Sequence, residues 1–282
     1  MWAIIGGSGF EKFDDFETVE SLNRETPFGN TSSGIRKIKL HGVECLFLSR
    51  HGEHHDDLPS EINYRANIFA LKKYGAKAIL SFSAVGSLAK KFKPGDLVVP
   101  AQYIDRTKGV RAHTFCGDGI VGHVSLAKPV CESMTSKLEE VVSDSSWESH
   151  FGATYVCIEG PYFSTKAESN IYREMGAQII GMTNFPEYAL AREAGLPYLP
   201  CCFVTDYDCW DDSIPHVTLE GVLEVMRANN AKAFEIAKAV LAKGGEVYKD
   251  CTCNKDGLHI GLMTPRDLIP HDKWSWLEVL IN

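Results

Sequence analysis

Short, β-rich apolar runs bounded by glycine or aspartate recur along the chain: Trp2–Ile5, Cys45–Leu48, Ala78–Phe82, Leu97–Pro100, Tyr155–Ile158, Gln178–Met182 and Leu199–Val204. Unbroken apolarity over so few residues marks strands buried on both faces. Elsewhere the period lengthens. Between Asn63 and Tyr74, Ile68, Leu71 and the Ala66/Ala70 pair share one helical face, and Leu219, Val222, Val225, Ala233 and Ile236 do so between Thr218 and Leu241. Strands alternating with helices predict an α/β sheet covered on both faces. No repeat or low-complexity linker interrupts this pattern before residue 245. Residues 1–245 are therefore expected to form one domain, and residues 246–282 a C-terminal extension carrying a Cys-x-Cys. Trp274 and Trp276 are expected to dock that extension onto the body or onto a partner subunit.

No apolar run approaches the roughly 18 residues of a membrane span. Met1-Trp2-Ala3-Ile4-Ile5-Gly6 lacks a basic flank and reads as a core strand rather than a signal peptide. A cytoplasmic location is expected. A net charge of −8 argues against a nucleic-acid partner, because phosphate backbones need a basic face. The nine cysteines are scattered. Cys45, Cys157, Cys201 and Cys202 sit in apolar runs and read as small hydrophobes. Cys251 and Cys253 lie in a polar stretch and read as exposed thiols, or alternatively as a redox clip. No second pair with comparable spacing accompanies them, so no metal site is expected.

Some polar segments sit where chemistry could occur. Ala3-Ile4-Ile5-Gly6-Gly7-Ser8-Gly9-Phe10 is a strand entering a glycine-rich turn, whose N–H groups and Ser8 hydroxyl suit a phosphate. A dinucleotide fingerprint fails at Lys12, and a nucleophile elbow fails at Phe10. Arg50 and His51, in Ser49-Arg50-His51-Gly52-Glu53-His54-His55-Asp56-Asp57, can supply charge-assisted donors to one anion. A solvated loop, or a metal site on His51, His54, His55 and the two aspartates, remain alternatives there. In Ser81-Phe82-Ser83-Ala84-Val85-Gly86-Ser87, small hydroxyl residues at a strand end could complete the cradle. In Thr205-Asp206-Tyr207-Asp208, carboxylates at i and i+2 of an extended segment point the same way. Held close, they resist double ionisation, and one can keep a proton near neutral pH.

These segments, in this order, resemble the 5'-methylthioadenosine phosphorylases of the purine nucleoside phosphorylase superfamily, from Ala3 to about Leu241. Pro59-Ser60-Glu61-Ile62-Asn63-Tyr64-Arg65-Ala66-Asn67, Pro94-Gly95-Asp96, Ile158-Glu159-Gly160-Pro161, Phe163-Ser164 and Gly181-Met182-Thr183 extend the match. The resemblance implies a single domain around a central twisted mixed sheet flanked by helices, assembled as a homotrimer. It implies phosphorolysis of 5'-methylthioadenosine to adenine and 5-methylthioribose 1-phosphate, with inorganic phosphate as co-substrate and no cofactor. A broader phosphorylase acting on adenosine or inosine is the alternative. Ser8, Arg50, His51, Ser83, Ala84 and Thr183 match phosphate-binding positions. Phe163 matches the ring packed on the purine, and Met182 the contact with the ribose. Asp206 and Asp208 match the pair that reads and protonates the base, with Asp206 expected as the donor to N7. His123, lent across a subunit boundary, and Leu219 with Val222 match the walls of the 5'-pocket. Glu53 and Tyr162 depart from the family pattern, which has arginine there. Both departures are expected to remove positive charge around the site and weaken phosphate binding.

Overall fold

Each apolar run named above contributes to a strand of one sheet, Gln178–Met182 through Ile179–Gly181 only. The computed structural model describes residues 1–8, 10, 16–211, 213 and 219–282. Its strands are β1 (Trp2–Gly6), β2 (Glu17–Leu22), β3 (Glu25–Thr26), β4 (Gly29–Asn30), β5 (Ile35–Leu40), β6 (Val43–Ser49), β7 (Ala78–Ser87), β8 (Leu97–Arg106), β9 (Ser149–Ile158), β10 (Ile179–Gly181) and β11 (Tyr198–Asp206). Its helices are α1 (Tyr64–Lys73), α2 (Glu132–Val142), α3 (Lys166–Glu174), α4 (Asn184–Glu193), α5 (Leu219–Ala242), α6 (Leu258–Gly261) and α7 (His271–Ile281). The main sheet runs β10-β9-β8-β11-β7-β1-β6-β5-β2, and an additional β10–β7 pairing closes β7, β11, β8, β9 and β10 into a ring. It is a mixed sheet: β1 is parallel to β6 and β7, and β7 to β11, whereas β11–β8, β10–β7, β5–β6 and β2–β5 are antiparallel.

The alternation of side chains along a strand divides the core into layers. Trp2 and Ile4 of β1 face a cluster shared with α2 and α5, and Ala3 and Ile5 face the opposite cluster with α1, α4 and α7. Fully burying one such aliphatic side chain stabilises the fold by roughly 1.5–3 kcal/mol. In α1 the Asn63 side chain accepts from the Ala66 N–H as N-cap, and the expected Ala66, Ile68, Ala70 and Leu71 are buried. In α5 the buried stripe runs through Met226, Asn229, Ala233, Ile236, Ala237 and Val240, while Val225 lies off it, half-buried. Thr218, the expected start of that helix, lies outside the described residues.

Residues 246–282 pack back onto both clusters. Val247 and Cys253 join one; Leu258, Ile269, Leu277 and Leu280 join the other. Trp276 meets Phe28 edge-on at 5.0 Å, and Arg266 stacks over Trp274 at 3.9 Å. The aromatic anchors therefore dock onto the body of their own chain. Cys253 is buried and Cys251 half-buried, which corrects the expectation of exposed thiols. Cys45, Cys157, Cys201 and Cys202 are buried as expected. Among the described residues, no helix is long and apolar enough to cross a membrane.

Candidate active site

Parallel strands bring their C-terminal ends to one edge of a sheet, where ligands collect in α/β folds. Here the register sets Gly6 of β1 beside Ser49 of β6, and Asp206 of β11 beside Gly86 of β7. The edge of β7 between these pairings is open. Among the described residues, its ladder with β1 ends at Ser81 and that with β10 begins at Gly86, so residues 82–85 keep a ladder partner on the β11 side only. A cavity of about 840 Å³ lies over this gap, lined by Ser8, Arg50, His51, Ser83, Ala84 and Thr183 together with Phe163, Met182, Asp206 and Asp208.

At its floor, Arg50 is fully buried. Nε donates to Glu187 Oε2 at 2.6 Å, and Nη2 donates to Glu187 Oε1 at 2.8 Å and to Ser81 Oγ at 2.6 Å. Nη1 donates to the Phe82 carbonyl at 2.9 Å. A guanidinium has five N–H bonds, so a single Nη1 N–H remains for a ligand. Burial disfavours the cation, but the charge and hydrogen bonds of Glu187 outweigh burial and raise its pKa. The several anion donors expected of Arg50 are thus mostly committed to its own support. Gly7 allows the close approach, since a Cβ there would stand 2.4 Å from Arg50 Nη1. The His51 Nδ1 lies 3.0 Å from the Asp57 carbonyl, and its ring stacks on His55 at 4.6 Å. Among the described residues, the ligand atoms of His51, His54, His55, Asp56 and Asp57 do not converge as a metal group.

The carboxylates depart from the expected geometry. A register shift between Val204 and Asp206 ends β11, and Asp208 has a φ of 51°, so the pair does not share one extended segment. Instead Asp206 caps its own turn: Oδ1 accepts from the Asp208 N–H at 2.8 Å, and Oδ2 from Thr205 Oγ1 at 2.7 Å. Among the described residues, Asp208 Oδ2 is buried without a hydrogen-bond partner within normal geometry, although the Ser169 hydroxyl lies close enough to oppose the rise in its pKa. Burial pushes Asp206 up, opposed by the donors from Thr205 and Asp208. Burial also raises Asp208 to about 6, helped by the charge of Asp206. At both carboxyls desolvation outweighs mutual repulsion. Gly86 makes room for both: a Cβ there would meet Asp206 Oδ1 at 3.0 Å and the Asp208 Cβ at 3.6 Å.

The opposite walls come from Phe163, Met182 and one face of α5. Phe163 is 53% exposed and sits ahead of α3, whose Thr165/Glu168 capping box fixes the loop. Val222 lines the cavity with Leu223, Met226, Arg227 and Asn230, which the sequence reading did not single out. The side chain of Leu219 lies outside the described residues. Glu53 lines the cavity, whereas Tyr162 is 81% exposed and does not line it. His123 is exposed and does not line this cavity within its own chain. Its backbone N–H donates to the Gly261 carbonyl at 2.9 Å, so the C-terminal extension holds its loop. Two buried ion pairs also escaped the sequence reading. Besides Glu187, Glu159 holds Arg111 at 2.6 Å, and Arg111 Nη1 donates to the carbonyls of Met182 and Phe185, fixing the segment that carries Thr183. Their only sequence signal is a charged residue next to an apolar run.

A cavity at the strand ends of a mixed sheet brings together Arg50, His51 and the Asp206/Asp208 pair, and the chain belongs to the phosphorylase superfamily, whose sequence model it matches over residues 2–242. Within that family it is similar to the S-methyl-5'-thioadenosine phosphorylases. It is 41% identical to that of Geobacter sulfurreducens, covering 99% of this chain and 97% of the relative. It is 48% identical to that of Rhodospirillum rubrum, covering 85% and 81%. A methylthioadenosine phosphorylase crystal structure from an antarctic soil metagenomic library superimposes with a TM-score of 0.92 at 42% identity, covering 100% and 98% of the two chains. The Schistosoma mansoni methylthioadenosine phosphorylase in complex with adenine superimposes with a TM-score of 0.86 at 37% identity, covering 94% and 99%.

Proposed function

We propose that this chain cleaves 5'-methylthioadenosine with inorganic phosphate, releasing adenine and 5-methylthioribose 1-phosphate. The observation that carries the reading is the meeting of the anion cradle and the Asp206/Asp208 pair in one cavity, at a separation set by the β7–β11 register. Phosphate is held by Ser8, His51, Ser83, Thr183, the open backbone edge at Ala84 and the remaining Arg50 N–H. One of its oxygens forms a bond to the anomeric carbon as the bond to N9 breaks, and the electron pair moves into the purine. Positioning the nucleophile can supply several kcal/mol of the barrier. The carboxyl pair, sharing one proton, donates it at N7 and accepts from the 6-amino group. General acid help of this kind is worth roughly 10²–10⁴ in rate. A 6-oxopurine would set a carbonyl against the carboxylate, so adenine nucleosides are preferred. Phe163 packs on the base and Met182 lies against the ribose. The apolar Val222, Leu223 and Met226 suit a methylthio group, and plain adenosine is a secondary substrate.

The same reading includes a homotrimer in the cytoplasm, serving purine and methionine salvage with no cofactor beyond phosphate. His123 of the partner subunit closes the 5'-pocket, and Leu219 completes its apolar side. The direct test is adenine release from 5'-methylthioadenosine, adenosine and inosine, with and without phosphate. Phosphate-dependent release, fastest with methylthioadenosine, is expected; a preference for inosine would overturn the account of the carboxylates.

A further inference from the structure

Cys251 and Cys253 lack a second cysteine pair of comparable spacing in the sequence, yet folding brings a third thiol to them. Cys131, at the N-cap of α2, places its Sγ 3.0 Å from that of Cys251. The three sulfurs lie within 4.8 Å of one another, the only such convergence of three ligand-type side chains among the described residues. We propose that Cys131, Cys251 and Cys253 bind a thiophilic metal ion, with Zn²⁺ as the ion that fits best. Zinc–sulfur bonds of about 2.3 Å put sulfurs of a tetrahedral site roughly 3.8 Å apart. Binding therefore requires the 3.0 Å Cys131–Cys251 contact to widen by roughly 0.8 Å.

The surroundings fit such a site. The Cys253 N–H points at Cys251 Sγ at 3.2 Å, and the Met134 N–H at Cys131 Sγ at 3.5 Å. Amide donors of this kind orient metal-bound thiolates and stabilise their charge. The start of α2 adds its positive end. Loading releases the three thiol protons and leaves the centre with one net negative charge. Cys251 lines a separate cavity of about 460 Å³, which gives an ion a route in and a water a place at the fourth position. Arg192 spans the same seam, pairing with Asp256 at 3.3 Å and donating to the Lys128 carbonyl. Bound metal would therefore clamp the segment beyond the superfamily match to α2. Nothing in this inference depends on the reaction proposed above.

The test uses the full chain, purified under reductant, stripped with chelator and titrated anaerobically with Cd²⁺. A thiolate-to-cadmium charge-transfer band saturating at one equivalent per chain is expected, and Cd²⁺ should release one equivalent of Zn²⁺ from zinc-loaded protein. Each of Cys131→Ser, Cys251→Ser and Cys253→Ser should lose the saturable band, and Cys116→Ser should keep it. Zinc should raise the thermal midpoint of the unaltered chain but not of Cys251→Ser, whose half-buried position makes it the variant least disturbed in folding. The proposal fails if no band saturates at one equivalent, or if the band survives in any of the three variants. A Cys131–Cys251 disulfide that persists through reduction, in protein that takes up no ion, overturns it as well.

Discussion

Asp208 shows how one buried carboxyl trades stability for chemistry. Its pKa rises from an ordinary 3.8 to about 6, chiefly through burial. The folded chain thus holds a proton that the unfolded chain has already released across that window. Native stability falls as pH rises from about 3.8 to 6 and stays lower above it, by about 2–3 kcal/mol. Asp208→Asn removes the ionisation, so its thermal midpoint at pH 7 is expected to exceed that of the unaltered chain. The gain should shrink as pH falls toward 4, where both proteins carry a neutral group. Calorimetry at the two pH values checks the sign, and a pH-independent difference would remove desolvation as the cause. In the same variant kcat/KM for methylthioadenosine should drop by roughly 10²–10⁴, the usual span for a lost acid–base group. The carboxylates were legible in the sequence because they follow a wholly apolar strand. Their geometry was not: the positive φ of Asp208 and the bulge before it are decided by pairing with β7.

At the scale of elements, α4 does for Arg50 what no residue near Arg50 in sequence could do. It carries Glu187 to the end of β6, where the carboxylate accepts from Arg50, Ser81 Oγ at 2.6 Å and Tyr198 OH at 2.8 Å. Glu187→Gln leaves a buried cation without its counter-charge, a change that typically costs about 3–5 kcal/mol. Chemical denaturation should show that loss. The phosphate KM should rise alongside it, because the guanidinium no longer holds its remaining N–H in place. An unchanged phosphate KM would mean that Ser81 and Phe82 suffice to fix Arg50. Apolar period made the central strands readable, but α4 and the edge strand β2 were not. The first buries charged residues such as Glu187, Arg192 and Glu193, and the second is almost wholly exposed. Neither shows the contrast between apolar and polar positions on which pattern reading depends.

On the scale of the whole molecule, the cavity is closed on one side by α5 and the Phe163 loop, while His123 faces outward on a loop held by Gly261 and Thr264. If His123 completes a neighbour's pocket, His123→Ala and Asp206→Asn damage different subunits of one site. Each variant alone should lose most methylthioadenosine turnover. Dissociating the two, mixing them and reassociating the oligomer should restore part of it, since some boundaries then pair an intact Asp206 from one subunit with an intact His123 from the other. No recovery, or full activity in His123→Ala, would confine the site to one chain. The sequence by itself determined the α/β class, the central strands and the family, and it singled out the segments that meet at the cavity, because each rests on local pattern or on short motifs. Tertiary structure alone decided that Arg50 is tied to Glu187, that burial lifts Asp208 to about 6, that Tyr162 does not line the cavity and that Cys131 meets Cys251 and Cys253. Each of these is a contact between distant segments or a consequence of burial, and burial and long-range register exist only once the sheet has formed.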